Sequence, residues 1–583
     1  MDDLIMYQFQ DSLPKLPLPT LEQTCKLYLQ IVAPLLSEQE LDQTQAVVEK
    51  FQQESGKKLQ QQLEIINSAT NTSYVHDYRE ESFSEYRGPL IINKNFGGIL
   101  TPISTPELTI AKVAATWIAD TLKFYLKIKR RELEPDRDSP RNGNQPMCMI
   151  QYDNLFGWNR IPGIKRDEMR HSPETENVVV IYRNTFYSIQ PLKDEKIASV
   201  TDIEQQLSWI LENTSTDGPA LGALTAMKRA SWAVVRQGMV ALDPENTRSL
   251  DLLDSALFVV CLDETEPVNL EAASQNVLHG DGKNRWFDKP LQLIFTPNGW
   301  SGINVEHVGL DGFVIMRYLY EVDRERKQQN QESAENESFQ LDSPTKLEWK
   351  FSEELLVQIK QIEAEVEALI CEHETKVLDY QEFGRNLIKN YCLSPDAVVQ
   401  LAIQIAYVKL RGKIDCVYES VHTRRFAYGR TEAMRSVTPE SVELIRCFTQ
   451  DDSGEAKYAA LKKAVAAHVS RQKDCQQGYG VDRHFAALLR LARAQGMTPE
   501  IYLDKAYKVL GDSVICTSSL AARMGIELFC FGQVADNGYG IGYIIKPDSI
   551  TVNVTSKYQQ TQQYIELLSQ ILSELGQLMA SFG

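Results

Sequence analysis

The segment from Leu291 to Arg326 limits the fold more than any other part of the chain. Leu291-Gln-Leu-Ile-Phe295 has the β-branched and aromatic content of a strand and stops at Pro297-Asn298-Gly299, a turn signal. Apolar sequence resumes at Ile303 and ends on His307, and Phe313 to Arg326 then continues at helical spacing. Strand, tight turn, strand and helix in that order predict an α/β chain with His307 where sheet gives way to helix.

The same alternation recurs elsewhere. Asn177 to Tyr182 and Phe186 to Ile189, joined by Arg183-Asn184-Thr185, predict a hairpin. Helices are expected at Pro106 to Ile128, Asp202 to Leu211, Leu221 to Val240 and Ser249 to Leu257. Upstream, Leu21 to Ile66 is apolar at helical spacing, with Thr20 as an N-cap and breaks near Pro34 and Ser55-Gly56. Residues 327–343, rich in Gln, Glu, Asn and Ser, predict an exposed loop near a domain boundary. Ile526 to Val554 reads as strands with Gly538-Tyr-Gly-Ile-Gly542 at their turn, and a last helix is expected from about Gln559 to Met579.

At 583 residues the chain exceeds one ordinary core, so two domains are expected. A net charge of −18 argues against nucleic acid or an anionic membrane as partner, and an anionic ligand would need a local basic pocket. The longest apolar run, Ala256 to Leu262, is too short to span a bilayer. Ten cysteines and eight histidines show no metal-like clustering, so neither zinc nor a disulfide framework is expected. With no recognisable secretory, transit or peroxisomal address, a reducing, cytoplasmic location is the expectation. The sequence fixes no oligomeric state, and a monomer is the default.

A histidine four residues before an aspartate is a weak signal, because such pairs often satisfy each other at a core edge. Three distant stretches strengthen it: Asn284-Arg-Trp-Phe-Asp-Lys289 with the His307 segment, Tyr418 to Thr431, and Cys516-Thr-Ser518 with Gly538-Tyr-Gly540. Together, in order and spacing, these resemble the carnitine/choline acyltransferase family, from Leu13 to the final helix. The resemblance implies two chloramphenicol-acetyltransferase-like α/β domains, each a mixed sheet flanked by helices, with the active-site tunnel between them. Placed on this chain, it gives a helical arm at 1–68 packing with the second domain, a first domain at 69–350 and a second at 351–583.

It also implies acyl exchange between coenzyme A and the hydroxyl of a small quaternary amine, with acyl-CoA as co-substrate, no resident cofactor and no metal. His307 would be the general base, Asp311 would orient its ring, and Ser518 would donate to the oxyanion. Arg385 and Lys389, one helical turn apart, match positions that hold the 3′-phosphate, and Asp396 one that meets the adenine amine. Tyr418, Thr431 and Arg483 match the carboxylate clamp of carnitine-specific members, so carnitine is the expected acceptor. Phe529 matches a plug that restricts the acyl chain to short lengths, and Phe531 would face the trimethylammonium. Cys516 stands where the family has serine, and a thiol is a weak donor. The alternatives within the resemblance are a short-chain acyltransferase acting on choline or another alcohol, or a catalytically silent acyl-CoA-binding protein of the same fold.

Overall fold

The computed structural model describes residues 5–102, 108–139, 143–329, 339, 341–520 and 525–583. Two large mixed sheets organise it, flanked by helices, as the α/β reading requires. The first sheet runs in the order Thr345–Lys346, Thr185–Ile189, Val178–Tyr182, Val259–Leu262, Leu291–Phe295, Ser301–Val305, Phe96–Leu100, Ile526–Cys530. Its centre is parallel and its flanks antiparallel.

The apolar runs have a direct structural cause. Val178, Val180 and Tyr182 enter one core with Trp117, Ile118 and Leu122 of the helix Ile110–Lys129. Val179 and Ile181 point the other way, to Trp232, Leu250 and Leu253. A strand covered on both faces has no polar side to present, so it reads as continuous Val and Ile. Each such buried side chain contributes about 1.5–3 kcal/mol.

The second sheet has the order Glu374–Tyr380, Ile550–Ser556, Tyr539–Ile545, Ile515–Ser519, Val417–His422, Thr431–Met434. The chain then crosses between sheets. Ile526–Cys530, which follows a strand of the second sheet, closes the edge of the first by pairing with Phe96–Leu100, Gly98 opposite Phe529. His307 from the first sheet and Ser518 from the second thereby line one space.

Some expected boundaries shift. Of Gly538 to Gly542 only Gly538 belongs to a turn, its amide donating to the Ala535 carbonyl at 3.0 Å; from Tyr539 the segment runs in the strand Tyr539–Ile545. A β-carbon at Gly540 or Gly542 would come within 2.3 Å of the backbone of Gly532 or Phe529, so close strand crossing accounts for the glycines. The single helix expected from Leu221 is two, Gly222–Thr225 and Arg229–Leu242. Thr20 forms a capping box with Gln23, and the N-terminal helices break where Pro34 and Ser55 predict. These helices pack Tyr28 and Phe51 against Phe485 of the helix Asp482–Ala494. Residues 327–329 end the helix Gly312–Gln329, while most of the loop expected at 327–343, like Pro106, lies outside the described residues.

Candidate active site

The strand Ser301–Val305 ends two residues before His307, and the turn after it is held from several sides. Glu306 accepts from the Val308 amide at 3.0 Å and from Arg160 at 2.8 Å. Arg430 donates to the carbonyls of His307 at 3.1 Å, Leu310 at 3.2 Å and Val308. Without Arg430 these carbonyls would be buried acceptors with no donor from this side chain, a costly arrangement.

His307 Nδ1 bonds the Leu310 carbonyl. A carbonyl only accepts, so Nδ1 carries the hydrogen in the neutral ring and Nε2 carries the lone pair. The Phe83 and Phe96 rings flank the imidazole at centroid distances of 5.8 and 5.4 Å, leaving 34% of its side chain open to the cavity.

Asp311 Oδ1 lies 3.9 Å from Nδ1, beyond hydrogen-bond reach. Its carboxylate instead meets Arg430, with two contacts of 3.2 Å, and Arg79 at 3.6 Å. Burial would raise the Asp311 carboxyl, but the two guanidinium groups outweigh it and hold it far below the usual range. A full charge pair near 4 Å would be worth about 4 kcal/mol at an effective dielectric of about 20. Because the arginines share the carboxylate, the field reaching the imidazole is smaller. Burial therefore wins at His307 and lowers its pKa from 6.5, with Asp311 opposing and Arg430 and Arg79 reinforcing the shift.

The cavity has two chambers of about 360 and 380 Å³ that share His307 and Ser518. Ser518 Oγ lies 3.4 Å from Ser420 Oγ, so two hydroxyls stand side by side. Cys516 lies on the same strand, and burial pushes its thiol up to about 12, so it is no thiolate at neutral pH. Tyr418, Thr431 and Arg483 are brought together: Arg483 donates to the Tyr418 hydroxyl at 3.4 Å and to the Thr431 carbonyl at 3.1 Å. Among the described residues no carboxylate lies within 4.0 Å of the Arg483 guanidinium. Phe529 packs against Phe96 at 5.6 Å and Phe531 at 5.5 Å, and both phenylalanines line the second chamber.

The other expected positions lie outside these chambers. Arg385 and Lys389 occupy the helix Arg385–Asn390, Lys389 exposed and Arg385 half-buried. Asp396 accepts from the Tyr543 hydroxyl at 2.6 Å and from Gln472 at 3.3 Å. It also converges with Glu419 and His468, whose ligand-capable atoms lie within 4.8 Å of one another. Burial and the neighbouring Asp396 push Glu419 well above the usual carboxylate range.

Sequence reading did not single out Arg430, Ser420, Arg79 or Glu306. The first two lie inside the stretch Tyr418 to Thr431, and Glu306 adjoins His307. Arg79, which donates to Thr431 Oγ1 at 2.9 Å, carried no local signal, because its partners are remote in sequence.

A histidine with a free Nε2, paired hydroxyls and an unmatched guanidinium in one cavity suit acyl transfer to an alcohol that carries an anion. The sequence pattern of the family described as Choline/Carnitine o-acyltransferase matches residues 16–573. The chain belongs to this family. Its members among the similar proteins include the bovine peroxisomal carnitine O-octanoyltransferase, 31% identical over 574 residues that cover 94% of this chain and 93% of the relative. The Xenopus tropicalis mitochondrial carnitine O-palmitoyltransferase 2 is 31% identical, covering 97% and 92%. A putative mitochondrial carnitine O-acetyltransferase of Saccharomyces cerevisiae is 30% identical, covering 97% and 94%. As a member of this family, which uses acyl-CoA as co-substrate, the chain is an acyltransferase. Relatives with such names span long and short acyl groups, and they are described as mitochondrial or peroxisomal. Among the described residues no helix is long and apolar enough to cross a membrane.

Proposed function

We propose that this acyltransferase exchanges a short acyl group, acetyl first, between coenzyme A and the hydroxyl of carnitine, with His307 as general base and no acyl-enzyme. His307 Nε2 takes the hydroxyl proton, the alkoxide attacks the thioester carbonyl, and the Ser518 hydroxyl, beside Ser420, donates to the oxyanion. As the intermediate collapses, the imidazolium returns the proton to the departing thiolate. The Leu310 carbonyl keeps the tautomer, and the Asp311 carboxylate stabilises the positive charge that develops on the ring. Arg385 and Lys389 would hold the coenzyme's 3′-phosphate outside the chambers.

One observation carries the reading: the cavity of His307 also holds Arg483, beside Tyr418 and Thr431, with no carboxylate within 4.0 Å of its guanidinium among the described residues and Glu432 and Asp482 acting on it only from farther off. Carnitine brings the missing carboxylate and choline does not. Thiol release from acetyl-CoA is therefore expected with carnitine and not with choline; release with choline alone would overturn the acceptor.

Phe529 supports the short chain, because its ring is buried against Phe96 where a longer acyl group would have to pass. Phe529→Gly should open that wall. The ratio of octanoyl-CoA to acetyl-CoA turnover is expected to rise by about 10-fold or more, since each buried CH₂ is worth about 0.8 kcal/mol. An unchanged ratio would remove the plug from the account. The alternative of a different alcohol acceptor is favoured by one residue of the same cavity, Lys94.

A further inference from the structure

Lys94 precedes the strand Phe96–Leu100, and its side chain lines both chambers. Its ammonium rests over the Tyr86 ring, 4.5 Å from the centroid, and among the described residues it has no carboxylate within ion-pair distance. Burial lowers its pKa; the nearby Cys516 opposes this, and Arg160 adds to it.

Two other cations around the cavity have carboxylate partners. Arg160 meets Asp167 at 2.7 Å and Glu306 at 2.8 Å, and Arg79 meets Asp311. Arg483 receives the acceptor's carboxylate under the proposed reaction. Lys94 is left over. Acetyl-CoA and carnitine together bring one carboxylate and one quaternary ammonium into the chambers. They therefore bring the half-buried Lys94 no carboxylate and add a like charge to its cavity.

Resting on the transfer reaction proposed above, we propose that Lys94 is a specificity-determining residue that receives a second carboxylate brought by the substrates. Besides acetyl-CoA with carnitine, the enzyme thus takes a substrate pair that carries one carboxylate more. The extra carboxylate has two sources. It ends the acyl chain, as in succinyl-CoA, or it replaces the acceptor's quaternary ammonium, as in 3-hydroxyglutarate, which is carnitine with a carboxylate in place of the trimethylammonium. The chemistry is the same in both: the acyl carbon–sulfur bond breaks, an ester carbon–oxygen bond forms, and the hydroxyl proton passes through His307 to the thiolate.

The test compares kcat/KM within each variant, so loss of folded protein cancels. One arm sets succinyl-CoA against butyryl-CoA, chains of equal length, with carnitine. The other sets 3-hydroxyglutarate against carnitine, with acetyl-CoA. The wild type is expected to prefer the carboxylated member in one arm, which identifies the source. Lys94→Met should reduce that preference by about 30-fold or more, the usual consequence of removing one partner of a buried charge pair. Lys94→Arg should retain it. Equal use of both members in both arms, or a preference that survives Lys94→Met, would overturn the assignment while leaving the transfer reaction standing. No thiol release by the wild type with any pair would refute the transfer reaction and this assignment together.

Discussion

His307→Ala is expected to lower kcat by about 10²–10⁴-fold, the contribution typical of a positioned general base, while acetyl-CoA still binds. The alcohol would keep its proton at the moment of attack; the cavity's other neutral imidazole, His422, whose pKa burial lowers to about 4, lines the first chamber only, whereas His307 lines both. The fold should tolerate the change, since Arg430 and Glu306 hold the turn through its backbone. Steady-state kinetics with calorimetric titration of coenzyme A reads both effects, and near-normal turnover would refute the role. The pH dependence gives an independent sign. A base works only when neutral, so activity should fall as pH drops through a pKa lying below 6.5, lowered chiefly by burial. An acid limb above 6.5 would mean that Asp311, and not burial, dominates the ring.

The parts of this site differ in how far they are legible from sequence. The hairpin that delivers His307 was readable because both strands are covered on two faces and the turn is spelled Pro-Asn-Gly. The alternation of strands and helices was readable for the same reason. Gly538 closes a turn as expected, but Gly540 and Gly542 do not, because glycine marks a turn and a close strand crossing alike. Asp311 looks like a hydrogen-bond partner of His307 at its sequence spacing, yet Leu310 makes that bond and Arg430 draws the carboxylate away. Arg430, Arg79 and Lys94 act across folded distance, and no periodicity records such contacts. The crossing of Ile526–Cys530 into the first sheet has the same origin.

Arg483→Asn should raise the KM for carnitine by about 30-fold or more, because the substrate carboxylate would enter the cavity without its guanidinium. The KM for acetyl-CoA should change far less, as the thioester does not meet that side chain in the proposed pose. Asparagine is shorter and smaller than arginine, so the change removes packing as well as charge, and the comparison of the two KM values separates these. Equal effects on both substrates would show that Arg483 serves the fold and not the carboxylate.

The most direct test of the transfer reaction is identification of its product. Wild-type protein given acetyl-CoA and carnitine should yield O-acetylcarnitine, seen by mass spectrometry, in step with each molecule of free coenzyme A, and His307→Ala should yield neither. Free coenzyme A without the ester, or the ester formed equally well by His307→Ala, would contradict the account.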